Sequence, residues 1–308
     1  MEKDINGIIN VLKPCGMTSF DVIKYLRGLL KIKKIGHTGT LDPKACGVLP
    51  VCIGKATKAI QYICDVDKLY RAEMILGIET DTQDSDGKVL KRIEKEYEND
   101  EIVFAMNSFV GDYEQIPPMY SAVKIKGKKL YEYARKGIEI ERKPKKVQIK
   151  NINIINISKT EIGAGIYQKV LFDVECSKGT YIRTLCSDIG NLLGCGGHLS
   201  FLVRVRSGEF DLNDAIPLEN VEKLSADNAI YKKIIKVDTV LSHFKSIKLE
   251  ENDLYRFNCG QLLQFNDKSF DNNEILRVYD FRNKFHALGV IIMKNGRAFL
   301  KPEKFFEV

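Results

Sequence analysis

The sequence predicts an α+β protein that ends in a smaller all-β region. Apolar residues recur at helical spacing over 18–30 and 182–192, whereas residues 70–78 follow the two-residue period of a half-buried strand. After residue 245 the chain changes to short strand-like segments separated by turns. We therefore expect helices and strands to be mixed in the first part and strands to dominate the last.

The elements of the first part follow from their patterns in order. Thr18 or Ser19 can cap the first helix. The turn predicted at 81–87 resembles a calcium loop, but Ile93 stands where the twelfth-position glutamate is needed, so we expect no calcium there. Further on, we predict a helix over 100–110, strands over 147–157 and 170–176, a helix from 182 with Arg183 in its first turn, and a charged helical stretch over 225–244.

The last part of the chain is predicted to hold five short strands. They are expected at 246–249, 262–265, 275–279, 287–293 and 298–300, with a turn around 258–261. We accordingly divide the chain into a first domain, 1–243, and a second, 244–308.

Composition indicates a globular protein of the cytoplasm. A chain of 308 residues with 44% hydrophobic and 29% charged residues can bury a sizeable core. It contains no apolar run long enough for a membrane span, and the N-terminus lacks a secretory pattern. The eight cysteines show no CxxC or zinc-finger spacing, which favours reduced thiols and cytoplasmic localisation.

The positive charge is concentrated in one segment. The net charge is +7, and residues 124–150 alone contribute eleven Lys/Arg against three acids. Tyr120, Tyr131 and Tyr133 lie within or beside this run. Cations interleaved with aromatic rings suit phosphate contacts and base stacking, although a solvated charged surface would look similar.

Residues 36–50, GHTGTLDPKACGVLP, hold a single carboxylate, Asp42, among glycines and prolines. Glycine permits close backbone approach, and proline fixes φ. Such a loop can hold one side chain in place beside a substrate. A tight structural turn with a capping aspartate is the alternative interpretation.

This loop resembles the catalytic motif of the TruB family of tRNA pseudouridine synthases. Other motifs of that family occur in the same order, over roughly residues 7–210: KPCGMTS at 13–19, YRA at 70–72, TDTQDSDG at 80–87, QIPPMYSAVK at 115–124, KGTYIRTL at 178–185 and HLSFLVRVRSG at 198–208. The resemblance implies a pseudouridine synthase fold, in which helices flank a mixed, mostly antiparallel sheet. It also implies a small C-terminal β-barrel similar to PUA RNA-binding domains.

The resemblance implies that uridine-55 in the T-loop of tRNA is flipped out and isomerised. This reaction exchanges a C–N for a C–C bond without net oxidation, so we expect no cofactor and no metal. Asp42 would attack carbon as a nucleophile or remove a sugar proton as a base. Arg183 would keep Asp42 ionised. Tyr70 would stack on the uracil and offer its hydroxyl for proton transfer.

Further residues are implied in substrate binding. His37 would hold the opened RNA loop, Lys13 and Leu202 would line the uracil pocket, and the segment of Arg204 would contact phosphate. Val203 stands where many relatives carry a second basic residue. A basic insert over about 118–146, with Tyr120 and Lys124, would clamp the T-arm stem-loop. The resemblance also implies a monomer that needs no protein partner.

Two other functions stay open at this point. A dyskerin-type synthase, which works with guide RNA, shares the catalytic motif but generally has serine where Thr38 stands here. A tRNA-folding chaperone would bind the same RNA without requiring catalysis. A membrane-surface role is not favoured, because the sequence offers no sufficiently long basic amphipathic helix.

Overall fold

The computed structural model describes residues 5–125, 127–265 and 270–306. Lys126, one of the cations of the basic run, lies outside the described residues. The α-helices of the described part are α1 (Ser19–Leu30), α2 (Ile60–Ile63), α3 (Asn99–Asn107), α4 (Leu130–Ala134), α5 (Ile182–Leu192), α6 (Leu218–Ala226), α7 (Val237–Val240) and α8 (Glu251–Asn258). Among these described helices, none has the length and apolar character to cross a bilayer.

The strands, in chain order, are β1 (Gly7–Lys13), β2 (Ile35–His37), β3 (Cys46–Ile53), β4 (Lys68–Leu76), β5 (Ile78–Thr80), β6 (Val89–Arg92), β7 (Gly111–Gln115), β8 (Lys124–Ile125), β9 (Lys128–Lys129), β10 (Lys145–Ile162), β11 (Gly165–Cys176), β12 (Gly197–Ser207), β13 (Phe210–Asp211), β14 (Ile216–Pro217), β15 (Ser246–Lys248), β16 (Leu263–Phe265), β17 (Ile275–Tyr279), β18 (Phe285–Lys294) and β19 (Arg297–Phe305).

A large sheet carries the first part of the chain. Its main path in the described residues is β14-β1-β3-β12-β4-β11-β10-β7, with β2 on β3 and β13 on β12. The pairs β1–β14 and β3–β12 are parallel, and the other pairs described in this sheet are antiparallel. The predicted mixed, mostly antiparallel sheet is therefore confirmed.

Helices α1 and α5 pack on this sheet and hold the two sides of the Asp42 loop. Helix α1 begins after Thr18, whose hydroxyl caps the N–H of Asp21, and it buries the predicted apolar face. Helix α5 buries Ile182, Leu185 and Ile189 in the core that includes the inner face of β4. Both helices were predicted from their apolar periodicity.

The C-terminal part is a curled five-stranded half-barrel, in the order β15-β17-β18-β19-β16. It confirms the predicted small β domain. Helix α8 is an addition that the sequence pattern did not predict. It is eight residues long and buries Phe257, so it offers little helical periodicity to detect.

The charged helical stretch predicted over 225–244 is broken into short pieces in the structure. Helix α6 ends at Ala226, and Asn228 adopts a left-handed φ of +52°, which an α-helix cannot continue through. A short 3-10 turn, Ile230–Lys233, and α7 follow as separate pieces. Charge and apolar spacing were compatible with one helix, but the backbone breaks it.

Candidate active site around Asp42

The loop that carries Asp42 is fixed at both ends. The hydroxyl of Ser19 donates to the Leu41 carbonyl at 3.2 Å and accepts from the Leu41 N–H at 2.8 Å. At the other end, Gly47 has a φ of +108°, and a Cβ there would lie 2.3 Å from the carbonyl oxygen of Arg204. Only glycine fits this approach without backbone movement. The Asp42 carboxylate therefore projects from a well-constrained loop.

Arg183 brings a cation to Asp42 from the first turn of α5. Its Nε lies 3.0 Å from Asp42 Oδ2; the arginine side chain is 5% exposed and the aspartate side chain 44%. The carboxylate is thus open to solvent on one side and enclosed by protein on the others. This enclosure raises the pKa of Asp42 through desolvation, and the charge of Arg183 opposes the increase.

Asp84 is a second carboxylate at the same arginine. Its Oδ2 lies 3.4 Å from Arg183 Nη1, which also donates to the Thr82 carbonyl at 3.2 Å. The charge of Asp84 adds to the increase in the pKa of Asp42. The sequence pattern marked this segment only as a turn. The signal that could have found Asp84 was its place in the TDTQDSDG motif, between two other carboxylates.

Tyr70 and Arg204 lie behind the loop on neighbouring strands, directly opposite each other in the β4–β12 pairing. Burial raises the pKa of the Tyr70 hydroxyl, and the Arg204 charge opposes this. Arg204 is 1% exposed. Its Nε donates to the Val48 carbonyl at 2.7 Å and its Nη2 to the Gly39 carbonyl at 3.1 Å. Because Arg204 is buried and bonded to the loop, it is better placed to support the loop than to contact phosphate, the role expected for its segment.

Lys13 lies beneath the loop rather than at its open surface. Its fully buried Nζ donates to the carbonyls of Ala45 at 2.6 Å, Pro14 at 3.0 Å and Pro43 at 3.2 Å. Burial lowers the pKa of Lys13. Leu202 is buried on β12 and shares a core cluster with Ala45. Both side chains therefore border the loop, and Lys13 holds three of its surrounding carbonyls.

His37 ends β2 and is half-buried. Its Nδ1 accepts a hydrogen bond from the N–H of Gly39 at 3.3 Å. Burial, with a smaller effect of the Arg204 charge, lowers the pKa of His37 below its ordinary 6.5. The lowered pKa disfavours the charged form of the ring in the protein without RNA.

The basic insert contains β8, β9 and α4. Lys124 begins β8 and is exposed, whereas Tyr120 is half-buried at the entry. The Tyr120 carbonyl accepts a hydrogen bond from Arg183 Nη2 at 2.8 Å. Farther out, the Lys129 ammonium lies 5.4 Å from the centre of the Tyr131 ring. The entry of the insert thus touches the Asp42 site, while its outer part presents cations and an aromatic ring.

Two family domains match this sequence. Residues 27–182 match the N-terminal domain of the TruB family pseudouridylate synthases, and residues 183–242 match the tRNA pseudouridylate synthase B C-terminal domain. A tRNA pseudouridine synthase B of Clostridioides difficile (strain 630) is 43% identical over 98% of this chain and 100% of its own. A protein of the same name from Alkaliphilus oremlandii (strain OhILAs) is 55% identical over 78% of this chain and 76% of its own.

Solved structures share the fold. A chain in the crystal structure of a Cbf5-Nop10-Gar1 complex is 27% identical, with a TM-score of 0.74 over 97% of this chain and 84% of that one. That coverage includes the C-terminal half-barrel as well as the large sheet. The Asp42 loop, the Arg183 helix and these matches agree, and the chain belongs to the TruB family of pseudouridylate synthases.

Proposed function

We propose that this chain isomerises uridine to pseudouridine in the T-loop of tRNA, at uridine-55. The observation that carries the proposal is the Asp42 carboxylate, held 3.0 Å from Arg183 Nε on the open side of a constrained loop. The relatives at 43% and 55% identity are both called tRNA pseudouridine synthase B, which supports tRNA as the substrate.

The reaction needs one ionised carboxylate beside the ribose and the base. The C1′–N1 bond breaks, the uracil turns, and a C1′–C5 bond forms; C5 loses a proton and N1 gains one, so atoms and electrons balance. Asp42 acts either as the nucleophile at C1′ or as the base that removes a sugar proton. Arg183 favours the ionised form in both cases, because it opposes the increase in the pKa of Asp42 caused by desolvation.

The target base must leave the RNA stack before Asp42 can reach its ribose. Base flipping costs a few kcal/mol, which replacement contacts have to offset. Tyr70 would stack on the flipped uracil, with Lys13 and Leu202 shaping the pocket around it. His37 would help to hold the opened RNA loop.

Substrate recognition would come largely from the insert. Lys124, Tyr120 and the other residues of the insert, 118–146, would clamp the T-arm through its phosphates and splayed bases. We assign residues 1–243 to catalysis and 244–308 to a PUA-like RNA-binding domain. The protein would work in the cytoplasm as a monomer, without guide RNA or a protein partner.

The decisive experiment maps pseudouridine by nucleotide in an unmodified tRNA transcript. Wild type, Asp42→Asn and the control Asp100→Asn, which changes an exposed carboxylate on α3, are compared without cofactor, guide RNA or partner. We expect wild type and Asp100→Asn to modify the T-loop uridine alone and Asp42→Asn to modify nothing.

Salt-sensitive tRNA binding without modification by the wild type would contradict the proposal and favour a guide-dependent enzyme or a chaperone. Acceleration of tRNA folding by Asp42→Asn would reveal a chaperone activity separate from catalysis.

A further inference from the structure

Gln115 is a buried glutamine at the end of β7 that pairs twice with the backbone of one residue. Its Oε1 accepts from the Tyr181 N–H at 2.7 Å, and its Nε2 donates to the Tyr181 carbonyl at 3.0 Å. Tyr181 immediately precedes α5, and its own side chain does not cap that helix. The Gln115 amide therefore fixes the start of the helix whose second residue is Arg183.

Five residues after Gln115, the backbone carbonyl of Tyr120 bonds to Arg183 directly. The Tyr120 carbonyl accepts from Arg183 Nη2 at 2.8 Å, while Nε meets Asp42 and Nη1 meets Asp84. All three guanidinium nitrogens are thus engaged. Because the guanidinium is a rigid planar fork, the Tyr120 carbonyl helps to set the angle at which Nε meets the Asp42 carboxylate.

The segment 115–123 leads into the insert and is also bonded to the start of its helix, α4. The N–H of Tyr131 donates to the Ser121 carbonyl at 3.1 Å, and the N–H of Leu130 donates to the Val123 carbonyl at 2.8 Å. Leu130 is fully buried at the start of α4. One short segment is therefore bonded to the start of α4 in the insert and also to Arg183 and its helix.

We propose that Gln115 is a positioning residue for the Asp42–Arg183 pair, and that segment 115–123 transmits engagement of the insert by RNA to that pair. The inference rests on the proposed function. Gln115 acts through Tyr181 and Arg183. Binding of RNA to the insert and alignment of the carboxylate are then linked through this segment, by the Gln115 side chain and the backbone carbonyls of Tyr120, Ser121 and Val123.

The chain contains a matched control for Gln115. Gln168 is also buried, and its amide makes the same double pairing with the backbone of Tyr97, at 2.8 Å and 2.9 Å. Tyr97 lies just before α3 and has no described contact with Arg183. Replacement of either glutamine by methionine removes two hydrogen bonds to one backbone residue, but only Gln115 is bonded next to the site.

The experiment compares Gln115→Met and Gln168→Met with wild type on full-length tRNA. We expect similar decreases in the thermal unfolding midpoint for both variants. At saturating tRNA, Gln115→Met should lower the single-turnover rate about 10- to 100-fold, the size of effect that small misplacements produce, whereas Gln168→Met should not. The acidic limb of the rate profile should move to higher pH in Gln115→Met alone, because a misplaced Arg183 opposes the increase in the pKa of Asp42 less.

Equal rate losses in the two variants, or a loss in Gln115→Met that appears only in KM, would overturn the positioning role. Leu130→Ala tests the link from the insert side and remains informative if Gln115→Met does not fold. It should lower the saturated rate and shift the acidic limb in the same direction; a change in KM alone would contradict the link. Absence of pseudouridine with the wild type would instead refute the proposed function itself.

Discussion

Two buried arginines approach the Asp42 loop, and they differ in what their guanidinium groups face. Arg183 faces two carboxylates, Asp42 at 3.0 Å and Asp84 at 3.4 Å. Arg204 donates instead to the carbonyls of Val48 and Gly39, and the described residues give it no ion-pair partner. Similar burial of the same residue type therefore produces two different sites, a compensated ion pair and a cation held by backbone dipoles.

In the proposed function, this difference assigns Arg183 to catalysis and Arg204 to support of the loop. Burial of a charge without a counter-charge is costly unless hydrogen bonds hold it, so the bonds of Arg204 to the loop have to offset that cost. Its charge also acts at a distance: it opposes the increase in the pKa of Tyr70 and lowers the pKa of His37. The charge of Arg183 is directed at Asp42, the carboxylate to which we assign the reaction.

Of the two arginines, Arg183, the one paired with carboxylates, should show the larger effect when it is replaced. Breaking a fully buried ion pair costs about 3–5 kcal/mol, and the partial exposure of Asp42 reduces this. We expect Arg183→Met to lower the single-turnover rate about 10²-fold, corresponding to roughly 2.7 kcal/mol. The acidic limb of the rate profile should move to higher pH, because ionised Asp42 loses its main favourable charge.

Arg183→Lys is the control that keeps the charge but loses the planar fork. It should recover only part of the rate. Full activity with an unchanged pH profile in Arg183→Lys would contradict a role that depends on the geometry of the guanidinium.

Replacement of Arg204, which has no carboxylate partner among the described residues, should reduce stability more than the catalytic rate. In Arg204→Met, the Val48 and Gly39 carbonyls lose charged donors, while the cost of a buried charge disappears. We expect a net loss of about 2 kcal/mol in the free energy of unfolding, measured by urea titration, and a rate loss smaller than that of Arg183→Met. Unchanged stability together with a shallower salt dependence of tRNA binding would instead support the phosphate contact expected for this segment.

Local patterns predicted the framework of the site. Helices α1 and α5 and strand β4 showed their apolar periods, and family resemblance marked Asp42 and Arg183. The structure places Arg183 Nε 3.0 Å from Asp42 Oδ2. The predicted roles of all the site residues, including these two, stay predictions.

The remaining contacts depend on which distant strands become neighbours. Asp84 and Gln115 reach α5 from segments 99 and 66 residues away along the chain. The direction of Arg204 depends on strand register, because a shift of one residue would turn its side chain to the other face of the sheet. No local period in a single sequence contains that information. Only the motifs at 80–87 and 115–124 marked Asp84 and Gln115, and the resemblance assigned neither of them a role.

The smallest predicted effect tests how far the charge of Arg204 reaches. The pKa of His37 is lowered from its ordinary 6.5, so the folded protein binds fewer protons here than the unfolded chain. The His37 contribution to stability should therefore be constant well above pH 6.5 and should decrease as the pH falls through that value. Because the lowered pKa disfavours the charged ring, His37→Gln should change the KM for tRNA at pH 8 less than about threefold.

Arg204→Met sharpens this prediction, because it removes the nearby charge while leaving His37 in place. Burial is the larger cause of the lowered pKa, so only part of the shift should be recovered. NMR titration of the His37 ring should show its pKa moving back towards 6.5 in Arg204→Met. An unchanged titration in a correctly folded variant would show that desolvation alone controls His37, and that Arg204 acts on the loop through hydrogen bonds rather than through its charge.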